Sequence, residues 1–434
     1  RSSRRAQHGT HRVSAQPTGW SEAALGDVCR IVSGATPKTG VTKYWGGEIP
    51  WLTPNDMSRD RSQTLTGGER YLTELGYDSC SARLFPAGSV IVSSRAPVGY
   101  VAIAGREMCT NQGCKTAVPP DFIDSRYLYW YLLAAKPDLE ARASGTTFKE
   151  ISSKRFAETR LVWPDLAEQR RVVEILEDHL SRLDAASSAT NRAVARTEVL
   201  RVASSAAEVS AASGSVIVPL SRHSLLVDYG TSMKAHPEPQ ASDVPVLRMG
   251  NVKHGRLDWS SLKYIPPDAP DLPRLLLRDG DLLFNRTNSA EHVGKSAVYL
   301  GREPTSFASY LIRVRFDEQV NPEWANLVIN SPYGRGYIAS VVSQQVGQAN
   351  VNGTKLKAFP LVVPPLAEQE ERLSRHSLLV NSADRLADGI RRVEGRGQGL
   401  RRAVLSAAFK GKLTGRHADD DVMEEAASLE GATR

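Results

Sequence analysis

Apolar positions along this chain follow two rhythms that alternate. Between about residues 18 and 160 the runs are short and rich in β-branched residues, broken by Gly, Pro and Asn, as in EIPWLTPND from Glu48 and LFPAGSVIVSSR from Leu84. Short runs bounded by turn formers predict strands. Beyond residue 161 the spacing changes. Val173, Leu176, Leu180 and Leu183 recur by three and four, and Ser187, Thr190 and Val194 continue the rhythm with smaller side chains. This is the seam of a long helix that packs on another helix. The succession then starts again, with strand-like runs from about 213 to 360. A second helical stripe follows, holding Leu373, Val380, Ile390, Val393, Leu400 and Val404.

The restart is a duplication. LVWPDLAEQRR from Leu161 and LVVPPLAEQEE from Leu361 share seven of eleven residues. At the same offset Ile151 matches Val351 and Phe156 matches Leu356. EIPWLTPNDM echoes DVPVLRMGNV, setting Asn55 against Asn251, and LFPAGSVIVSSR echoes LLRDGDLLFNR, setting Arg95 against Arg286. So long a period means a pair of domains, not a solenoid. The predicted fold is α+β: two globular halves of mixed strands and helices, 18–160 and 213–360, each followed by a helical region, 161–212 and 361–414. A basic segment, 1–17, and an acidic tail, 415–434, are expected to be disordered.

Pro164 suits a strand end or a helix approach. Asp165 can cap the helix, with Glu168 completing a box-like pattern; the second copy has Pro365 there, suited to a first turn. Leu166 and Leu366 open the two helices, and the Ala-Glu-Gln that follows (Glu168, Gln169; Glu368, Gln369) is expected to be buried at a domain or subunit contact. Gly389, Gly395, Gly397 and Gly399 each cost a helix interior about 1 kcal/mol, so the second helix should lean on a neighbour or bend near 395–399. The plainer alternative is two unrelated amphipathic helices on their own domains, which their shared lead-in disfavours. One octapeptide, LSRHSLLV, occurs at Leu220 and again at Leu373. The first copy reads as a strand and the second lies in a helix pattern.

Lys and Arg exceed Asp and Glu by 55 to 48, for a net charge of +7. That mildly favours an anionic partner such as nucleic acid. No apolar run reaches the roughly 18 residues of a membrane span. Cys29, Cys80, Cys109 and Cys114 lack zinc-pair spacing and are expected to be buried, reduced thiols of an intracellular protein. Catalytic patterns fail one by one. EHVGKS lacks the earlier glycine of a phosphate loop, NSPYG is a turn, and no HExxH occurs. No metal site is expected, and ADDDVMEEAASLE reads as a solvated tail.

The paired PxLAEQ phrases, each between a globular region and a long helix, together with LRRAVLSAAFKGKLTG from Leu400, make the chain resemble the specificity subunit of a Type I restriction-modification system. The resemblance covers about residues 18 to 416. It implies a non-catalytic, cytoplasmic protein in which two target recognition domains each read half of a bipartite, asymmetric site in double-stranded DNA. It implies an antiparallel coiled coil that sets the spacer. Two adenine-N6 methyltransferase subunits would dock there, and restriction subunits would complete the assembly. No cofactor is expected on this chain; S-adenosylmethionine, ATP and Mg belong to the partner subunits. A duplicated protein-interaction scaffold is the alternative.

For DNA contact the candidates are Asn55, Arg59 and Arg61 in one turn-rich stretch and Arg248, Asn251 and Lys253 in its echo. Arg95, Arg286 and Asn288 follow strands, while Thr146, Thr147, Gln348 and Asn350 sit in polar loops. Arg and Asn suit guanine and adenine edges, and Lys more often meets phosphate. Any one of them could instead serve the surface or a salt bridge, and Arg95 and Arg286 stand evenly between the two roles. The aromatics of YLYWYLL sit at helical spacing and read as core.

Overall fold

The computed structural model describes residues 19–95, 97–145, 149–210, 215–288, 293–301, 303–345, 348–415 and 418–431. The basic segment 1–17 lies outside them. Contacts divide the chain into two units, residues 1–189 with 392–434, and residues 190–391.

In the first unit the β-branched run Val90–Ser93 is buried on both faces and lies inside a five-stranded sheet. The strand order is Arg30–Ser33, Cys114–Val118, Val90–Ser93, Val101–Ala104, Thr64–Leu65. A three-stranded sheet of Arg70–Leu72, Trp45–Leu52 and Cys109–Thr110 adjoins it. The helix Ser125–Ala134, capped by the Asp124 side chain, buries Tyr127, Leu128 and Leu132. The YLYWYLL aromatics are therefore largely core, as their spacing predicts.

The second unit repeats the plan. Ser224–Tyr229, Leu311–Phe316, Leu282–Asn285 and Ser296–Val298 form an antiparallel sheet in that order, and Lys263–Ile265, Val244–Leu247 and Ser306–Phe307 form the adjoining one. In both three-stranded sheets the central strand pairs parallel with the last. Gly34 and Gly230 occupy the same place. A Cβ there would sit 2.0 Å from the Asn111 carbonyl oxygen or 2.1 Å from that of Phe307, so only glycine fits.

The duplicated phrase performs the same task twice. Arg160–Trp163 pairs antiparallel with Ser21–Ala24, and Pro360–Val363 with Val216–Pro219. The long helices Leu166–Ser210 and Leu366–Phe409 then begin. Gln169 is fully buried; its Oε1 accepts from the Asp124 amide (2.9 Å), and its Nε2 donates to the carbonyls of Phe122 and Pro164 (both 2.9 Å). Gln369 makes the matching three bonds, with Asn321 (2.9 Å), Gln319 (2.9 Å) and Pro364 (2.8 Å). Each glutamine thus ties its helix start to the loop before a domain helix. Only the first copy has a side-chain cap, Asp165 accepting from the Glu168 amide at 3.0 Å. In the second the Pro365 carbonyl takes the Glu368 amide at 2.9 Å.

Within the first unit Asp184 pairs with Arg401 and Glu168 with Thr414; within the second Arg201 pairs with Asp384 and Glu208 with Arg372 and Arg375. Residue numbers rise on one helix as they fall on the other, so the helices run antiparallel in each unit. Val173, Leu176, Leu180 and Val404 are buried in the seam, with Leu183 and Leu400 packed beside them, and Leu373 packs on the second unit's core.

Three expectations change. Val393 is 55% exposed and Leu366 42% exposed, while Ile390 is half-buried; Ala383, Ala387, Ala403 and Ala407 supply the second helix's seam instead. Alanine allows close approach and turns the larger side chains outward. The helix continues through Gly395, Gly397 and Gly399 without a break. The acidic tail is also not simply solvated. Ala418–Gly431 is a helix with Val422 buried against the seam, and the buried Glu425 accepts from Ser406 (2.8 Å) and pairs with Lys410. Its apolar residues, spaced one helical turn apart, outweigh its acidity.

Candidate nucleic-acid interface

Thr53–Asp60 is a short helix with its caps. Thr53 and Asp56 form a capping box around Pro54–Arg59, which leaves Asn55 and Arg59 exposed. Arg59 pairs with Glu69, and the guanidinium of Arg61 lies 3.9 Å from the Tyr100 ring centroid. Hydrogen bonds from Ser58 and Arg61 hold the Tyr100 phenol below its usual pKa. Arg70 stacks on Trp45 at 3.3 Å. Three arginines are therefore held by a carboxylate or a ring on one side.

The corresponding stretch of the second unit is Arg248–Asn251, but the equivalence differs from the one the sequence suggests. The Asn251 Oδ1 accepts from the Arg248 amide (2.9 Å), just as Asp56 accepts from the Thr53 amide (2.8 Å). Asn251 therefore matches Asp56 rather than Asn55. It is 2% exposed, and its Nδ2 donates to the carbonyls of Asp258 and Ser261. This excludes the DNA contact expected of it: Asn251 is a loop staple. Arg248 donates to the Ser261 carbonyl at 3.3 Å. Val252–Lys253 and Arg256–Leu257 form a hairpin whose turn residues, His254 and Gly255, both have positive φ, as a tight two-residue turn requires. Lys253 is exposed and pairs with Asp258, which it holds far below the usual carboxylate range.

The second register also slips by one. Ser94 donates its amide to the Gly113 carbonyl and accepts from the Ile151 amide; Arg286 does the same with Tyr310 and Val351. Arg286 therefore matches Ser94, and Arg95 matches Thr287. Adjacent strand positions face opposite ways, so the two arginines are not equivalent. Arg95 lies 3.5 Å from the Glu150 carboxylate, whereas Arg286 stacks on Tyr229 at 4.9 Å. Asn350 pairs in register with Thr287, at the place of Glu150. Asn288 and Gln348 lie in strands whose backbone alone is described, and Thr146 and Thr147 lie outside the described residues.

One cluster has no signature in the sequence. Glu177 on the first long helix accepts from Trp130 Nε1 (2.9 Å), Arg126 Nε (3.2 Å) and Gln63 Nε2 (3.3 Å). Burial acts to raise its pKa, but these hydrogen bonds outweigh it and hold the carboxylate below its ordinary value. In the second unit the matching helix residue is Ser377. A cleft of about 930 Å³ opens beside it, lined by Glu323, Leu327, Arg256 and His376 among others. Among the described residues no group of side chains could hold a metal ion, and no helix is long and apolar enough to cross a membrane.

Residues 17–193 match the Type I restriction modification DNA specificity domain. The chain is 37% identical over 163 residues to the Type I restriction enzyme MjaIX specificity subunit of Methanocaldococcus jannaschii, a stretch covering 37% of this chain and 38% of that subunit. It is 24% identical over 426 residues to the EcoKI specificity subunit of Escherichia coli strain K12, covering 92% and 90%. Among solved structures it is similar to a chain from a study of type I R-M complex assembly (TM-score 0.73, 19% identity, 92% and 99% covered). It is also similar to the HsdS subunit of Thermoanaerobacter tengcongensis (TM-score 0.55, 18% identity, 91% and 98% covered). Those two likenesses show the fold: two domains joined by long helices.

Proposed function

We propose that the chain, like the Type I restriction-modification specificity subunits it is similar to, reads a bipartite, asymmetric duplex DNA target, one half-site to each unit. The observation that carries this reading is the repetition of one sheet arrangement and one glutamine tie in both units, so that each unit is a complete reader. The long helices set the separation of the half-sites. They also dock two methyltransferase subunits, a role supported by Leu378, Leu379 and Leu386, which are 70%, 59% and 55% exposed on the second helix. A row of large apolar side chains in water marks a surface that a partner covers. The chain acts without catalysis of its own. S-adenosylmethionine, ATP and Mg are handled by the methyltransferase and restriction subunits, in a cytoplasmic assembly.

The test is spacing. Methylation sequencing of DNA modified by the complex yields both half-sites. One inserted base pair then displaces a half-site by about 3.4 Å and turns it by roughly 35°. Tight binding should be lost. Equal binding to both duplexes would refute a fixed separation, and weak, salt-insensitive binding throughout would favour a protein-interaction scaffold.

A further inference from the structure

At one place in the fold the two units carry different chemistry, and the difference extends over four positions. In the first unit three serines meet there: Ser33 Oγ lies 2.7 Å from Ser153 Oγ, and Ser94 is buried beside the same strands. In the second unit the same places hold Tyr229, Gly353 and Arg286. The Tyr229 hydroxyl accepts from the Gly353 amide at 2.8 Å, and a Cβ on Gly353 would come within 2.9 Å of that hydroxyl. The glycine makes room for the tyrosine, and the tyrosine supports the guanidinium of Arg286. The remaining position is the Glu150 site, where the second unit has Asn350.

This seat leaves Arg286 with few protein partners. Its Nη1 donates to the Ser309 carbonyl at a long 3.5 Å, its Nε has no hydrogen-bond partner, and no carboxylate pairs with it among the described residues. The first unit's Arg95 has Glu150, and in the second unit the buried Arg313 has Asp228 and the half-buried Arg315 has Asp281. Among the described residues this half-buried guanidinium, held on a ring, has no counter-charge, so it is free to take an acceptor from a bound partner. The plainer reading is that Arg286 merely packs on Tyr229.

We propose that Arg286, oriented by Tyr229 and Gly353, takes an acceptor of duplex DNA, a phosphate oxygen or a guanine edge, on behalf of the second unit alone. This rests on the DNA-reading function proposed above. The test uses the complex with its methyltransferase subunits and a 40-base-pair duplex bearing its methylated motif, titrated across a KCl series. Arg286→Gln should weaken binding by roughly 5- to 150-fold. If the acceptor is phosphate, the slope of log affinity against log salt falls by about 0.9, the methylated motif is unchanged, and Arg286→Lys restores both affinity and slope. If it is a guanine edge, Arg286→Lys does not restore affinity, and one guanine of one half-site becomes degenerate in the methylated motif. Tyr229→Phe keeps the stacked ring and should lose only a small part of the effect.

Packing alone predicts a lowered melting temperature with affinity, slope and motif as in the wild type, and that result overturns the proposal. Should Arg286→Gln not fold, Arg286→Lys decides the matter: wild-type motif, affinity and slope leave phosphate as the sole acceptor. Tyr229→Ala must then weaken binding, and its failure to do so overturns the proposal. A wild-type complex that binds no duplex in a salt-dependent way would instead refute the DNA-reading function itself.

Discussion

Replacing Gln369 by leucine removes a fully buried amide while keeping much of its volume. Three backbone groups lose their partner at once: the Asn321 amide and the carbonyls of Gln319 and Pro364. Each bond contributes about 1 kcal/mol net, and a buried group left unpaired costs about 1–3 kcal/mol. Gln319 lies in an exposed turn, where water can replace the amide, so the lower end applies and the loss should be about 3 kcal/mol. For a unit of some 200 residues, about 1 kcal/mol moves the melting midpoint by roughly 2–4 °C. The expected fall is therefore about 6–12 °C, confined to one of two transitions because the chain divides into two units. Gln169→Leu should lower the other transition by a similar amount. Differential scanning calorimetry resolves the two, with exposed Arg170→Ala as control. A shift no larger than the control's, or one shared equally by both transitions, would refute the tie.

Three further outcomes are expected. Because the Glu177 carboxylate has a folded pKa below its unfolded value of about 4.3, its stabilising effect is present above that pH and lost as pH falls through the folded value. Acid melts of Glu177→Gln should therefore show less loss of first-unit stability below about pH 4 than the wild type; parallel curves would dismiss the cluster. Gly395→Ala and Gly397→Ala meet nothing within 4 Å, so each should stabilise by about 0.5–1 kcal/mol in thermal melts, and destabilisation would mean a hidden clash. Burial pushes the thiols of Cys29, Cys109 and Cys114 up to about 12, whereas Cys80 is half-buried. Maleimide at neutral pH should label Cys80 first, as mass spectrometry of peptides would show, and equal labelling of all four would contradict that burial.

The duplication, the strand-to-helix handover at Pro164 and Pro364, and the antiparallel-capable seams were legible in the sequence. Periodicity and proline act locally, and a repeat needs no structure to be seen. Registers were less legible. Asn55 against Asn251 and Arg95 against Arg286 each slip by one residue, because matching like residue types along the sequence takes no account of the hydrogen-bond ladder, which keeps its own alignment. One residue in a strand reverses the face, so a small slip changes which side chains are comparable. The Glu177 cluster was invisible because its donors come from distant places in the sequence with no shared spacing.

LSRHSLLV shows where the division falls. From Leu220 it is a short 3-10 turn followed by the strand Ser224–Tyr229; from Leu373 the same eight residues are helix. In the first copy the histidine faces Asp317 and the strand hydrogen-bonds along Leu311–Phe316. In the second, His376 meets Ser204 at 2.9 Å and the arginine at position 375 reaches Glu208. The flanking patterns announced both outcomes, but the octapeptide itself carries no preference strong enough to choose. Sequence determined the repeated plan of domain and helix. Tertiary structure decided the conformation, register and partners of each residue, because backbone propensities differ by tenths of a kcal/mol while a paired sheet or buried seam contributes several.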